Sequence, residues 1–214
     1  MITFSGIDCS GKTTIIGIVK KYYQDRDVKC CSIWSRGGYT LWVEGFKNLI
    51  RKDKHLSKEE KALYRIEALA STRKNKLLLW ASIADLIRFY GIILRWIEFM
   101  GNEIICDRYI WDTYIDFKLK FKDIHFEKWL VWKALIFFMK KPSKSIIFVI
   151  PVEESMRRSE LKYEPFPESF DERVIRIAEY MKEIRNGKWQ YVINTEGELE
   201  EVARKVFLIL ENTL

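Results

Sequence analysis

Histidine and cysteine are scarce in this chain: 214 residues hold two His and four Cys, at Cys9, Cys30, Cys31 and Cys106. No C-x-x-C pair is present, so no zinc site is spelled. The thiols in the strand-like runs, Cys30, Cys31 and Cys106, are expected to be buried and reduced, as in a cytosolic protein. No charged segment with a cleavage site precedes the first apolar run, so no secretory signal is expected. No clean membrane-spanning run is present either. Leu77–Met100 carries Asp85, Arg88, Arg95 and Glu98, and Trp129–Met139 is too short to cross a bilayer. Repeats and low-complexity tracts are missing. The net charge is +7 and the pI about 9.1, yet no DNA- or RNA-binding motif accompanies the charge. The excess Lys and Arg therefore suits small anionic substrates and a solvated surface. Neither nucleic acid nor membrane is expected as a partner, and the location expected is cytoplasmic.

What is present is an alternation of strand and helix patterns in a chain that is 48% apolar, enough for one sizeable α/β core. A single domain over residues 1–214 is expected. The strands predicted are Ile2–Phe4, Val28–Trp34, Glu103–Asp107, Ser145–Ile150 and Trp189–Ile193. The helices predicted are Lys12–Tyr23, Leu41–Arg51, Lys58–Arg73, Leu77–Met100, Tyr109–Phe117, Phe126–Lys140, Glu153–Ser159, Ser169–Arg185 and Leu199–Glu211. Gly101-Asn102 and Pro142 supply stop signals. Lys162–Pro167, with two prolines between helical patterns, reads as a surface loop or lid, about residues 157–168 in all.

Gly6-Ile7-Asp8-Cys9-Ser10-Gly11-Lys12-Thr13 is a complete G-x-x-x-x-G-K-[ST] phosphate loop between a strand and a helix. Gly6 and Gly11 let successive N–H groups of the loop, through Asp8, Cys9 and Ser10 to Thr14, turn toward a polyphosphate. Lys12 is placed to reach the β- and γ-phosphates, and the Thr13 hydroxyl to ligate Mg²⁺. A second signal, Asp107-Arg108-Tyr109, ends an apolar strand, where open α/β sheets bind ligands. Asp107 there can serve the metal through water, and Arg108 can clamp a phosphate. A third is Arg157-Arg158, with Lys162 and Arg173 near, ahead of the lid; arginines there suit charge neutralisation on a transferring phosphoryl group, as well as a plain basic helix face.

Together these pieces resemble the thymidylate kinase family. The opening Phe4-Ser5-Gly6-Ile7-Asp8-Cys9-Ser10-Gly11-Lys12-Thr13-Thr14 is similar to F-E-G-x-D-G-x-G-K-T-T, Asp107-Arg108-Tyr109 to D-R-[YFH], and Glu168-Ser169-Phe170-Asp171 to the exit of that family's lid. The resemblance implies a three-layer P-loop fold: a five-stranded parallel sheet of order 2-3-1-4-5, helices on both faces and a short lid. It implies transfer of the γ-phosphoryl of ATP, with Mg²⁺, to a nucleoside monophosphate, dTMP first among candidates. It further implies a homodimer, Asp8 contacting the acceptor sugar, Arg108 holding the acceptor phosphate, and lid arginines acting in catalysis because Cys9 fills the slot where one branch carries an arginine.

The acceptor pocket departs from that pattern. Ser35-Arg36-Gly37-Gly38-Tyr39-Thr40 stands for R-E-P-G-G-T, leaving Arg36 to reach a phosphate without its acidic neighbour. The F-x-x-x-R that reads thymine aligns with Trp80-Ala81-Ser82-Ile83-Ala84, which leaves Ala84 in the arginine slot, while another register would use Arg73 at the cost of an insertion before Asp107; Arg88, one turn on, can replace the donor, and Trp80 or Trp111 can stack on a base. Three readings follow: a dTMP kinase, a kinase of the same scaffold for another nucleotide or a phosphorylated sugar, and an ATP-binding regulator without transfer. Lys12, Thr13, Asp107, Arg108 and the two lid arginines favour an enzyme.

Overall fold

Ile2–Gly6 (β1) is buried along its whole length, Thr3 and Ser5 included, as befits a strand sandwiched on both faces. In the computed structural model, which describes residues 1–35, 72–162 and 168–211, it lies at the centre of a five-stranded parallel sheet. The other elements follow in chain order: α1 (Lys12–Gln24), β2 (Cys30–Trp34), α2 (Thr72–Arg88), a π-helical segment Phe89–Ile93, α3 (Leu94–Phe99), β3 (Glu103–Asp107), α4 (Ile110–Lys120), a 3₁₀ turn Phe126–Lys128, α5 (Leu130–Phe138), β4 (Lys144–Val149), α6 (Val152–Leu161), α7 (Phe170–Arg185), β5 (Tyr191–Asn194) and α8 (Leu199–Glu211). The sheet order is β2-β3-β1-β4-β5, which is the expected order. Ile2 pairs with Ile105 on one side and with Lys144 on the other.

The chain divides into two compact units. One comprises Met1–Ser35, Ile97–Asp116 and Lys141–Leu214; the other comprises Arg36–Trp96 and Phe117–Lys140. The sheet belongs to the first. Its core joins Phe4 and Phe148 on the central strands (ring centroids 5.7 Å apart) to Ile15 and Val19 of α1 and to Val202 and Val206 of α8. These helix residues stand four apart, so each pair lines one face. The expectation for the thiols holds for Cys106, which is buried and pushed up to about 12 by that burial. Cys30 and Cys31 are only half-buried, because β2 is an edge strand.

In the second unit, the long apolar helix begins at Thr72, earlier than the expected Leu77. Its ladder widens to a π-turn at Phe89–Ile93. Gly91 makes the close approach there: a Cβ would stand 3.3 Å from the carbonyl oxygen of Phe138. The Tyr90 carbonyl, freed at the widened turn, accepts from Lys140 N at 2.9 Å. By length and composition, Asn75–Phe99 passes as a membrane span, with 39% of its apolar stretch buried. Leu77, Trp80, Ile92, Trp96 and Phe99 are exposed along it. The helix expected over Leu41–Arg51, nearly all of that over Lys58–Arg73, and the lid stretch 163–167 lie outside the described residues.

Candidate active site

The phosphate loop leaves β1 at Gly6 and enters α1 at Lys12. Glycine is required at Gly6 on two counts. Its φ is 138°, and a Cβ would fall 2.5 Å from the Phe148 carbonyl oxygen. Gly11, at φ 86°, turns the chain into the helix, and Cys9 also takes a left-handed conformation at φ 60°. Lys12 is buried, with its ammonium folded inside the loop. It donates to the carbonyls of Gly6 (2.9 Å) and Ile7 (2.6 Å) and to Ser10 Oγ (3.3 Å). Burial, reinforced by the charge of Arg108, lowers its pKa to about 8, against the pull of Asp8, Asp107 and Asp112. Thr13 and Thr14 face solvent at the start of α1.

Arg108 sits at the carboxyl end of β3, one strand over from the loop. Its φ of 71° is a left-handed conformation, rare for arginine, and its N–H bonds the Phe4 carbonyl at 2.8 Å. The residue is 3% exposed. It donates to the Gly6 carbonyl (3.1 Å), to Tyr180 Oη (3.4 Å) and to the Asp8 carboxylate. Burial alone would lower its pKa, but Tyr180, Asp8 and Asp112 hold it above its ordinary value. Asp107, its neighbour, is raised chiefly by burial, against Lys12 and Arg108. One of its carboxylate oxygens, Oδ1, is buried without a hydrogen-bond partner.

That orphaned oxygen bears on the metal question. A hard carboxylate oxygen beside the lysine of the loop, together with the Thr13 hydroxyl at the head of α1, is the donor chemistry Mg²⁺ takes, with waters and phosphate oxygens completing the shell. The residues present fit that ion. Among the described residues, no cluster of three His, Cys, Asp or Glu offers an alternative site.

The remaining predicted residues fall as follows. Arg157 and Arg158 lie on α6, and both bond Glu154 (2.6 and 2.7 Å from their Nε atoms). Those two bonds pull Glu154 down to about 2. Arg158 also donates to the Thr195 carbonyl at 2.8 Å, tying α6 to the loop after β5, while Arg157 is 62% exposed. Helix α6 itself touches the phosphate loop through Ser155 Oγ, which donates to the Asp8 carbonyl at 2.9 Å. Trp111 is half-buried on α4, with Lys188 Nζ 4.2 Å over its ring. Trp80 and Arg88 belong to the second unit, where Trp80 is exposed and Arg88 bonds Asp85 at 2.7 and 3.0 Å. Arg36 lies outside the described residues.

The structure thus joins Gly6, Asp8, Lys12 and Arg108 by hydrogen bonds, with the half-buried Asp107 beside them. It also adds residues the sequence left unassigned. Asp112, Tyr180 and Ser5 meet around Arg108, and Arg173, 1% exposed, bonds Ser155 and Ser159. Asp112 had a faint signal: an acid four residues past Arg108, in the first turn of a helix. Tyr180 had none, since its partners lie far away in the chain; Arg173 stood only as a basic residue near Arg157-Arg158, with no sign of the serines it bonds.

A strand–loop–helix phosphate cradle at the centre of a parallel sheet, with an arginine from the adjacent strand end, defines a P-loop phosphotransferase fold. The thymidylate kinase family model matches residues 4–206, and the chain belongs to that family. It is 28% identical to a thymidylate kinase of Mycoplasmopsis pulmonis over 224 aligned positions, covering 99% of this chain and 87% of that protein. The crystal structure of a thymidylate kinase from Ehrlichia chaffeensis shares its fold, with a TM-score of 0.53 at 22% identity over 98% of this chain and 97% of that one.

Proposed function

We propose that this chain transfers the γ-phosphoryl group of ATP to dTMP, giving ADP and dTDP. The observation that carries the reading is the convergence of Lys12 and Arg108 on the Gly6 carbonyl: two buried cations meet where donor and acceptor phosphates must meet. The family match over residues 4–206 supports reading both units as one kinase.

Lys12 exchanges its carbonyl partners for the β- and γ-phosphate oxygens of ATP. The loop N–H groups and the dipole of α1 bind the same anion. Arg108 holds the acceptor's phosphate, and Asp8, bonded to Arg108, is placed to take the sugar hydroxyl. An oxygen of the acceptor phosphate then attacks the γ-phosphorus, and the bond to the β–γ bridging oxygen breaks. Mg²⁺, held by Thr13 and, through water, Asp107, would neutralise charge on the phosphates. Arg157 and Arg158, on α6, supply positive charge to the transferring phosphoryl group. The exposed apolar residues Ile92 and Trp96 support a homodimer through this long helix.

A weakened preference for dTMP, with other acceptors used beside it, is supported by three observations. Ala84 fills the donor slot, Arg88 is engaged by Asp85, and Lys188 covers one face of Trp111. The test is ATP consumption, with kcat/KM compared for dTMP, dUMP, UMP, CMP and a phosphorylated sugar. A lead for dTMP by less than about a hundred-fold is expected, the range one missing buried hydrogen bond allows. No turnover with any of them would refute the kinase reading.

A further inference from the structure

Asp112 has no part in the roles set out above, yet its side chain is fully buried, 0% exposed, beside the phosphate loop. Its two carboxylate oxygens accept from four donors: Ser5 Oγ (2.5 Å), Tyr180 Oη (2.6 Å), the N–H of Tyr109 (2.9 Å) and, at the long end, the N–H of Gly6 (3.4 Å). An ionised carboxylate is acceptor-only, with room for about four such bonds. The site is therefore built for a charged aspartate, and a neutral amide cannot satisfy it: its NH₂ would face at least one of these donors. The positive charge that balances it is Arg108, whose Nη1 stands 3.9 Å from Oδ1.

Two of the four donors pass the arrangement on. Tyr180 has one hydroxyl proton and gives it to Asp112, which leaves the phenol oxygen turned to accept from Arg108 Nη1 at 3.4 Å. Gly6 gives its N–H toward Asp112 while its carbonyl receives Arg108 at 3.1 Å and Lys12 at 2.9 Å. Asp112 thus orients one acceptor on the Nη1 side of Arg108, the Tyr180 oxygen, and tethers by its N–H the residue whose carbonyl is the other, Gly6. We propose that Asp112, acting chiefly through Tyr180 and with the Gly6 backbone tethered beside it, is the positioning residue that aims the Arg108 guanidinium at the phosphate of the acceptor nucleotide. The proposal rests on the reading of Arg108 as the acceptor-phosphate clamp.

The affinity ratio of dTMP to thymidine isolates the phosphate contact, because the two ligands differ only in that group. The ratio is measured calorimetrically on the full chain for the unaltered protein and for Arg108→Met, Asp112→Asn and Tyr180→Phe, with melting followed in parallel. Arg108→Met is expected to collapse the ratio. Asp112→Asn and Tyr180→Phe are expected to lower it by roughly ten-fold, the scale of a misaligned charge-assisted hydrogen bond, with thymidine affinity within about two-fold of the original. A purely structural role for Asp112 would weaken both ligands alike and leave the ratio unmoved; that result overturns the proposal. If Arg108→Met leaves the ratio intact, or the unaltered protein shows no preference for dTMP, the clamp reading fails and takes the proposal with it. If Arg108→Met collapses the ratio while the other two variants keep it, the proposal alone is overturned. Should Asp112→Asn fail to fold, Tyr180→Phe, which loses a single hydroxyl, decides the matter.

Discussion

At the scale of single residues, Lys12 concentrates the most consequence in one atom. Its ammonium lies inside the loop with a pKa of about 8, where an unfolded lysine sits at 10.5. Between those values the unfolded chain binds the extra proton, so this group makes the fold more stable as pH rises through that window. ATP needs the charged form, and its binding must draw a proton there. The expected outcome is a KM for ATP that worsens above about pH 8 while melting temperature does not fall on this group's account. Initial-rate kinetics and calorimetry across pH 7–10 check both trends. Lys12→Ala should abolish turnover, because phosphoryl transfer depends on positioning and charge stabilisation; unchanged turnover would remove the phosphate loop from the mechanism. The strand–loop–helix setting of Gly6, Gly11 and Lys12 was legible in the sequence because the loop is contiguous and its spacing is fixed. Asp112 was not, because its donors come from β1, the loop and α7, which only folding brings together.

At the scale of elements, α6 is the joint of the site. It meets the phosphate loop at Ser155, the loop after β5 at Arg158, and α7 through Arg173. Arg173 Nη1 bonds Ser155 O and Oγ at 2.9 and 2.5 Å, and Nη2 bonds Ser159 Oγ at 2.8 Å. Arg173→Met strands these buried acceptors. A loss of about 1–3 kcal/mol is expected, read by denaturant titration. At the head of α7, Ser169 and Glu172 form a reciprocal capping box, and Ser169→Ala should cost about 1 kcal/mol by the same measurement. Replacing Arg157 and Arg158 together by Ala is expected to lower kcat more than it weakens ATP binding; equal losses in both would mark them as ground-state contacts. The strands were legible to within two residues at nearly every end, since each apolar run is bounded by polar or turn residues. The π-turn at Phe89–Ile93 was not, because one extra residue in a helical ladder leaves no mark in composition.

At the scale of the whole molecule, the homodimer proposal rests on exposed apolar residues of the long helix. Ile92 is 65% exposed and Trp96 63%, one turn apart on the helix. The homodimer proposal predicts that Ile92→Glu with Trp96→Glu shifts sedimentation from two chains to one at micromolar concentration; a monomer before substitution would remove the proposal. The register of the sheet carries a further consequence, for synthesis. The strand that bears the phosphate loop is the first made, but both its neighbours come late, at residues 105 and 144. A ribosome therefore finishes the ATP-binding sequence long before the chain can hold it in shape. ATP added to stalled nascent chains should protect the loop from protease only after β4 has left the exit tunnel, so the nucleotide acts as a ligand of late folding and cannot seed it.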